Sequence, residues 1–110
     1  MNVLFDVDDT LIRILYESER GVLVARGQEP VVPMIDLLGT LYYAGHAIYI
    51  ASSGGKEYAA QQCRQLGINH LVTVVERFTS IPMDLSFDDA VVNYAEVNCQ
   101  VRVKEEAFTH

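Results

Sequence analysis

Short apolar runs alternate along this chain with stretches whose apolar residues recur at helical spacing. The runs predict five buried strands, at residues 3–5, 47–51, 71–75, 83–87 and 97–103. Helices are predicted over residues 34–43, with Pro33 as the first helical residue, and over residues 56–66, which Gly67 follows. Strands that alternate with helices are typical of an α/β fold, because each helix returns the chain so that successive strands lie parallel.

The short connections favour a single α/β domain over residues 1–110. We expect a three-layer, Rossmann-like arrangement of about five mostly parallel strands with helices on the faces of the sheet. The link between the third and fourth predicted strands is too short for a full helix, so we expect a single turn there. A second domain has no room in 110 residues.

Residues 12–32 form an insert between the first strand and the first helix. Apolar triplets at residues 14–16 and 22–24 flank a Gly-containing turn at residues 17–21, a pattern that predicts a β-hairpin. Because lids often arise from loops beside a site, we expect this hairpin to project over the strand ends as a small flap. An edge hairpin with no part in a site is the alternative.

The composition limits the class of partner. The net charge of −7 argues against the broad basic surface that binds nucleic acid. The first residues lack the pattern of a signal peptide, and no run approaches the ~20 apolar residues needed to cross a bilayer. Cys63 and Cys99 lack C-x-x-C spacing, which excludes a zinc or redox motif of that type. We expect a soluble, cytoplasmic protein with no membrane partner.

Acidic residues stand where two of the predicted strands end. Asp6, Asp8 and Thr10 follow the first strand as D-x-D-x-T, and Asp88 and Asp89 follow the fourth. Taken singly, these stretches fit a turn and a helix N-cap. Parallel strands bring their carboxyl ends to one crevice, and Mg²⁺ needs only one or two carboxylates beside a substrate phosphate. Together the two acidic stretches therefore predict a magnesium site.

The end of the second predicted strand offers groups that suit a phosphate. Ser52, Ser53, Gly54 and Gly55 precede a helix, where glycine permits close approach of the backbone and exposed N–H groups favour an anion. The stretch is neither a P-loop nor a nucleophile elbow. Beside such a site, one carboxylate of the first stretch can attack phosphorus, and another can protonate a leaving oxygen and later activate water.

The order of these residues resembles the haloacid dehalogenase-like (HAD) superfamily of aspartate-nucleophile phosphatases. Residues 6–11, DVDDTL, are similar to its first motif, Ser52 to its second, and Asp88 with Asp89 to its last. The resemblance implies that Asp6 is nucleophile and metal ligand, and that Asp8 is the general acid/base and a ligand through its backbone carbonyl. It further implies that Ser52 binds the phosphoryl group. Asp88 would ligate Mg²⁺, and Asp89 would act through water or orient the other ligands.

The chain departs from the family pattern at two points. Asp9 stands where the family usually has glycine, which we expect to be tolerated if the side chain faces outward. The family's third motif supplies a basic residue, yet no lysine lies between Lys56 and Lys104. We expect Arg77 to fill that role, with Lys56 as the alternative.

The resemblance implies a small, capless, Mg²⁺-dependent phosphatase that hydrolyses a phosphomonoester through an aspartyl-phosphate. Its substrate is expected to be a phosphorylated small molecule or an accessible phosphate on a macromolecule, and the acidic charge balance makes a nucleic-acid end the less favoured case. Two alternatives stay open. One is a HAD-like binding or assembly module without turnover. The other is a receiver-like phosphoacceptor, which is disfavoured because Glu76 and Arg77, not an aspartate, follow the third predicted strand.

Overall fold

The computed structural model describes residues 1–90 and 95–103, and the end of the predicted domain, residues 104–110, lies outside that description. The described residues form a five-stranded parallel sheet, a separate two-stranded hairpin and two helices. In chain order the elements are β1 (Asn2–Phe5), β2 (Ile12–Glu19), β3 (Val22–Pro30), α1 (Val32–Tyr43), β4 (Ala47–Ile50), α2 (Lys56–Leu66), β5 (Thr73–Val74), β6 (Met83–Asp88) and β7 (Ala95–Gln100). The predicted α/β class and the parallel sheet are confirmed.

The strand order β5-β4-β1-β6-β7 places β1 at the centre of the sheet. The chain moves outward from β1 through β4 to β5 and then returns to the other side of β1 as β6. Phe5 pairs with Ile50 on one side and with Phe87 on the other. The strand order therefore reverses between β1 and β6, where ligand crevices form in such sheets. Asp6 directly follows β1, and Asp88 is the last residue of β6.

Burial on both faces of the sheet makes β1 a rigid support. Val3 and Phe5 belong to one core cluster, which includes Leu38 of α1 and Ala59 of α2. Leu4 points to the opposite face and belongs to a second cluster. The rings of Phe5 and Phe87 stack with their centroids 4.8 Å apart, which joins β1 to β6 beside their last residues.

The two helices lie close to their predicted positions. Helix α2 has the predicted bounds and ends at Gly67, whose φ of 74° is the left-handed conformation that glycine adopts readily. Helix α1 begins at Val32, so Pro33 is its second residue rather than its first. Within the described part of the chain, no helix has the length and apolar character that spanning a membrane requires.

The hairpin is much longer than the prediction. Only Arg20 and Gly21 form the turn, with φ of 53° and 78°, whereas the prediction gave the turn to residues 17–21. Two residues with positive φ suit the twist of antiparallel strands, so the ladder closes directly across them. Because the outer part of the hairpin is exposed, its strands lack the alternation of apolar and polar residues from which a strand is predicted.

Strands β5, β6 and β7 also differ from the prediction at their ends. The third sheet strand, β5, covers two residues instead of five, and β7 begins at Ala95 and ends at Gln100, three residues before the predicted end. Strand β6 includes Asp88, which the sequence placed after the strand. Residues 75–82 contain no helix, which agrees with the prediction that this link is too short for one. The single turn expected there is not formed as a helical turn.

Two glycine-to-alanine substitutions should change stability in opposite directions. Gly39 lies inside α1, and a Cβ there meets nothing within 4 Å, so Gly39→Ala should raise the free energy of unfolding by about 0.5–1 kcal/mol. Gly67→Ala should lower it by about 1 kcal/mol, because alanine is strained at a φ of +74°. Urea denaturation of both variants measures the two changes, and a shared sign would contradict these conformational assignments.

Candidate active site

Three carboxylates meet at the junction of β1 and β6. One carboxylate oxygen each from Asp6, Asp88 and Asp89 lies within 4.8 Å of the others, and we call these three residues the acidic cluster. The backbone N–H of Asp6 donates to the carbonyl of Phe87 at 2.9 Å, which extends the pairing of β1 with β6 into the cluster. Asp6 and Asp88 are 7% and 3% exposed, whereas Asp89 is open to solvent.

The acidic cluster has an excess of negative charge for its surroundings. Burial, and then the charge of Asp88, raise the pKa of Asp6 to about 8, although the Val7 backbone N–H opposes the shift. Burial also raises the pKa of Asp88, against the lowering effects of a hydrogen bond from the Ala90 N–H (3.0 Å) and of the Arg77 charge. Because hard carboxylate oxygens are the ligands that Mg²⁺ prefers, this donor set fits a divalent cation.

Arg77, from the connection between β5 and β6, reaches the acidic cluster. Its Nη1 lies 3.8 Å from Asp6 Oδ1, a contact too long for a hydrogen bond but close enough for charge attraction. This attraction does not offset the burial of Asp6 and the neighbouring carboxylates, so the pKa of Asp6 is still raised. Lys56, the alternative cation, is exposed at the first residue of α2.

The loop between β4 and α2 is held by its own hydrogen bonds. Ser52 is buried, its Oγ accepts a hydrogen bond from the Gly54 N–H at 3.0 Å, and its carbonyl accepts one from the Gly55 N–H at 3.1 Å. Both glycine N–H groups are therefore engaged within the turn, and the expectation that this stretch binds a phosphate stays a prediction. Ser53 and Gly54 are exposed beside the buried serine.

Asp8 is not one of the three residues of the acidic cluster and has a partner of its own. The Tyr58 hydroxyl donates to Asp8 Oδ1 at 2.6 Å. Burial of the phenol and the charge of Asp8 raise the pKa of Tyr58 well above its usual range, so the hydroxyl keeps its proton and acts as the donor. Tyr58 packs against the core, as its apolar ring predicts, but its contact with Asp8 was not foreseen. Its place in the first turn of α2 sets it next to the Ser52 loop, but no local pattern links it to Asp8, fifty residues earlier.

Tyr58 also limits what can occupy position 54. A Cβ on Gly54 would lie 2.7 Å from Tyr58 Cδ2, so the ring needs a glycine there. Gly54 and Tyr58 line one end of an open groove of about 540 Å³ along α2, which continues past Glu57 and Gln61 to Arg64. The groove therefore adjoins both the Ser52 loop and the tyrosine that holds Asp8.

The turn after β1 explains the aspartate at position 9. Asp9 has a φ of 59°, in the left-handed region where glycine is favoured and where aspartate is among the better tolerated side chains. Backbone N–H groups of Thr10, Leu11 and Ile12 all donate to the Val7 carbonyl and close this turn. Thr10 Oγ1 is fully buried and has no hydrogen-bond partner among the described residues.

Comparisons of the chain with protein-family models, with curated proteins and with solved structures each find no match.

The raised pKa of Asp6 should make stability depend on pH. In the absence of divalent cations, the free energy of unfolding should fall from about pH 4 to about pH 8, because unfolded Asp6 ionises near pH 4 while folded Asp6 stays protonated to about pH 8. Mg²⁺ should reverse this loss, most strongly near pH 8. Urea titrations at several pH values measure the slope.

Asp6→Asn should flatten that slope, whereas Asp36→Asn, a change at an exposed position of α1, should retain it. Equal slopes in wild type and Asp6→Asn would contradict the assigned burial and charge crowding of Asp6.

Proposed function

We propose that this protein is a Mg²⁺-dependent phosphohydrolase of the HAD type, which cleaves a phosphomonoester through an aspartyl-phosphate on Asp6. The observation that carries the proposal is the convergence of Asp6 with Asp88 and Asp89 where the strand order reverses. A nucleophile and ligands drawn from two different strands are what the motif resemblance requires at this place.

The cation would be held by the acidic cluster and the backbone carbonyl of Asp8. Asp6 and Asp88 would ligate it directly, and Asp89 would act through water or orient the other ligands. When bound, Mg²⁺ supplies positive charge that lets an anionic carboxylate approach an anionic phosphate. The raised pKa of Asp6 supports a requirement for the cation, because Asp6 can attack phosphorus only in its ionised form.

The reaction uses the two carboxylates of the first motif in turn. An oxygen of Asp6 attacks phosphorus while the bond from phosphorus to the leaving oxygen breaks, and Asp8 gives its proton to that oxygen. Water then attacks the phosphorus of the aspartyl-phosphate and gives a proton to Asp8. The bond from phosphorus to Asp6 breaks, which releases inorganic phosphate and restores both carboxyl groups.

Ser52 and Arg77 would hold the transferring group. The Ser52 oxygen accepts a hydrogen bond from Gly54, which leaves its hydroxyl hydrogen to donate to a phosphoryl oxygen. Arg77 would add positive charge beside Asp6, in place of the lysine of the family's third motif. Exposed Ser53 and Gly54 would border the phosphate, and the groove along α2 has room for the rest of a small substrate or for part of a larger one.

The finer points of architecture and setting belong to the same proposal. A three-layer, Rossmann-like domain is compatible with the strand order but would need a helix on the face of Leu4, whereas both described helices contribute to the cluster of Val3 and Phe5. The thiols of Cys63 and Cys99 are both free, as suits the reducing cytoplasm in which we place the protein. Its charge of −7 favours small or protein-borne phosphates over nucleic-acid ends.

The purified protein should hydrolyse aryl phosphates only when Mg²⁺ is present. Asp6→Asn should lower the rate by about 10³-fold or more, because a nucleophile is removed, and Asp36→Asn should leave it unchanged. A coupled phosphate-release assay over a panel of phosphomonoesters, with and without chelator, measures both. Equal rates in Asp6→Asn would contradict the nucleophile. Mg²⁺ binding without turnover of any substrate would favour the binding module.

The two candidate cations should differ in their effect on turnover. Arg77→Ala should lower kcat/KM by about 10²-fold, the usual effect of removing one group that stabilises charge in the transition state. Lys56→Ala should change it less than twofold, and Arg77→Lys should recover part of the loss. The same phosphate-release assay decides the matter, and a large effect of Lys56→Ala alone would assign the role to Lys56.

A further inference from the structure

We infer that Tyr58, which lines the groove along α2, is a positioning residue for catalysis and holds the Asp8 carboxyl group through the hydrogen bond from its hydroxyl. The inference rests on the proposed function, because it gives Asp8 the acid/base task. It deepens that function, because Tyr58 is not among the residues that match the family's motifs.

The first step concerns the fate of the Asp8 carboxylate. It lies only two residues from Asp6, so it could become a further cation ligand, and a carboxylate that binds a cation is lost as a proton donor. The Tyr58 hydroxyl donates to Oδ1 of Asp8 at 2.6 Å, and Oδ1 can accept this bond both when Asp8 is ionised and when its proton is on Oδ2. Oδ2 is then the atom that carries the proton to the leaving oxygen.

The second step concerns what fixes Tyr58 itself. Its ring is half-buried against the core, and it covers Gly54 so closely that no Cβ fits between them. Gly54 in turn donates to the buried Ser52. The hydroxyl that binds the phosphoryl group and the carboxyl group that moves the proton are therefore positioned by one packed unit at the start of α2.

The third step places the leaving group. Gly54 and Tyr58 line the end of the groove, which continues along the exposed face of α2 to Arg64. A leaving group that lies in this groove would contact Tyr58, whose hydroxyl holds Asp8. Tyr58 thus brings the proton donor to the leaving oxygen without contacting phosphorus.

The test compares substrates whose leaving groups differ in their need for a proton. Phenyl phosphate needs protonation of the leaving oxygen, whereas 2,4-dinitrophenyl phosphate needs almost none. Because kcat/KM includes only the steps up to departure of the leaving group, Tyr58→Phe should lower it about tenfold for phenyl phosphate, as expected for a lost hydrogen bond to a charged group. For the dinitrophenyl ester the change should be less than about twofold. Tyr43→Phe, at an exposed position of α1, should leave both values unchanged.

Two further variants separate positioning from simple structural support. Asp8→Asn should already remove the contribution of the proton donor, so adding Tyr58→Phe to it should cause no further loss. Gly54→Ala should displace the ring and lower kcat/KM more for phenyl phosphate than for the dinitrophenyl ester, in addition to any loss through Ser52 that both esters share, which keeps the test decisive if Tyr58→Phe folds poorly.

Each outcome of these measurements bears on the inference. Equal losses of kcat/KM for both esters in Tyr58→Phe and Gly54→Ala, or a further loss on the Asp8→Asn background, would overturn the role of Tyr58 while leaving the proposed phosphatase intact. Wild-type protein that turns over neither ester with Mg²⁺ present would overturn the proposed function, and the role of Tyr58 with it.

Discussion

Crowding of like charges where β1 and β6 meet is the constraint on which the rest of this structure depends. Parallel pairing of these strands sets Asp6 next to Asp88 at a place where water is largely excluded. Burying ionised carboxylates is costly unless a proton or a cation compensates them. Arg77 compensates this charge only in part, at 3.8 Å. Such an arrangement lowers stability unless a cation is bound, and sites of this kind are common where proteins do chemistry.

The hydrophobic core keeps this charge crowding in place. Strand β1 is buried on both faces, and the stacked rings of Phe5 and Phe87 lie directly before Asp6 and Asp88. Rearrangement of the carboxylates would disturb close-packed side chains, and such interiors resist deformation. The aromatic pair and the acidic pair are therefore consecutive along both strands, with no residue between them.

Parts of this structure followed from the sequence because local rules were sufficient. Helix α2 was predictable because it has a regular polar surface and a glycine that ends it. The order of strands and helices predicted a parallel sheet, and a parallel sheet brings Asp6 and Asp88 to the same edge. The exposed hairpin strands had no buried face to create a pattern, so their length was missed. The hydrogen bond from Tyr58 to Asp8 joins residues fifty positions apart, and no local signal encodes such a contact. The site roles stay predictions, because geometry alone does not demonstrate turnover.

The central place of β1 also has a consequence for how the chain matures. This strand comes early in the sequence, yet its partners are residues 47–50 on one side and 85–87 on the other. Pairings between distant segments slow folding, because the intervening chain must be ordered first. During synthesis, an apolar strand that ends in acidic residues therefore waits without its neighbours until most of the polypeptide has left the ribosome. Chaperone capture in that interval would fall on the same segment that carries Asp6.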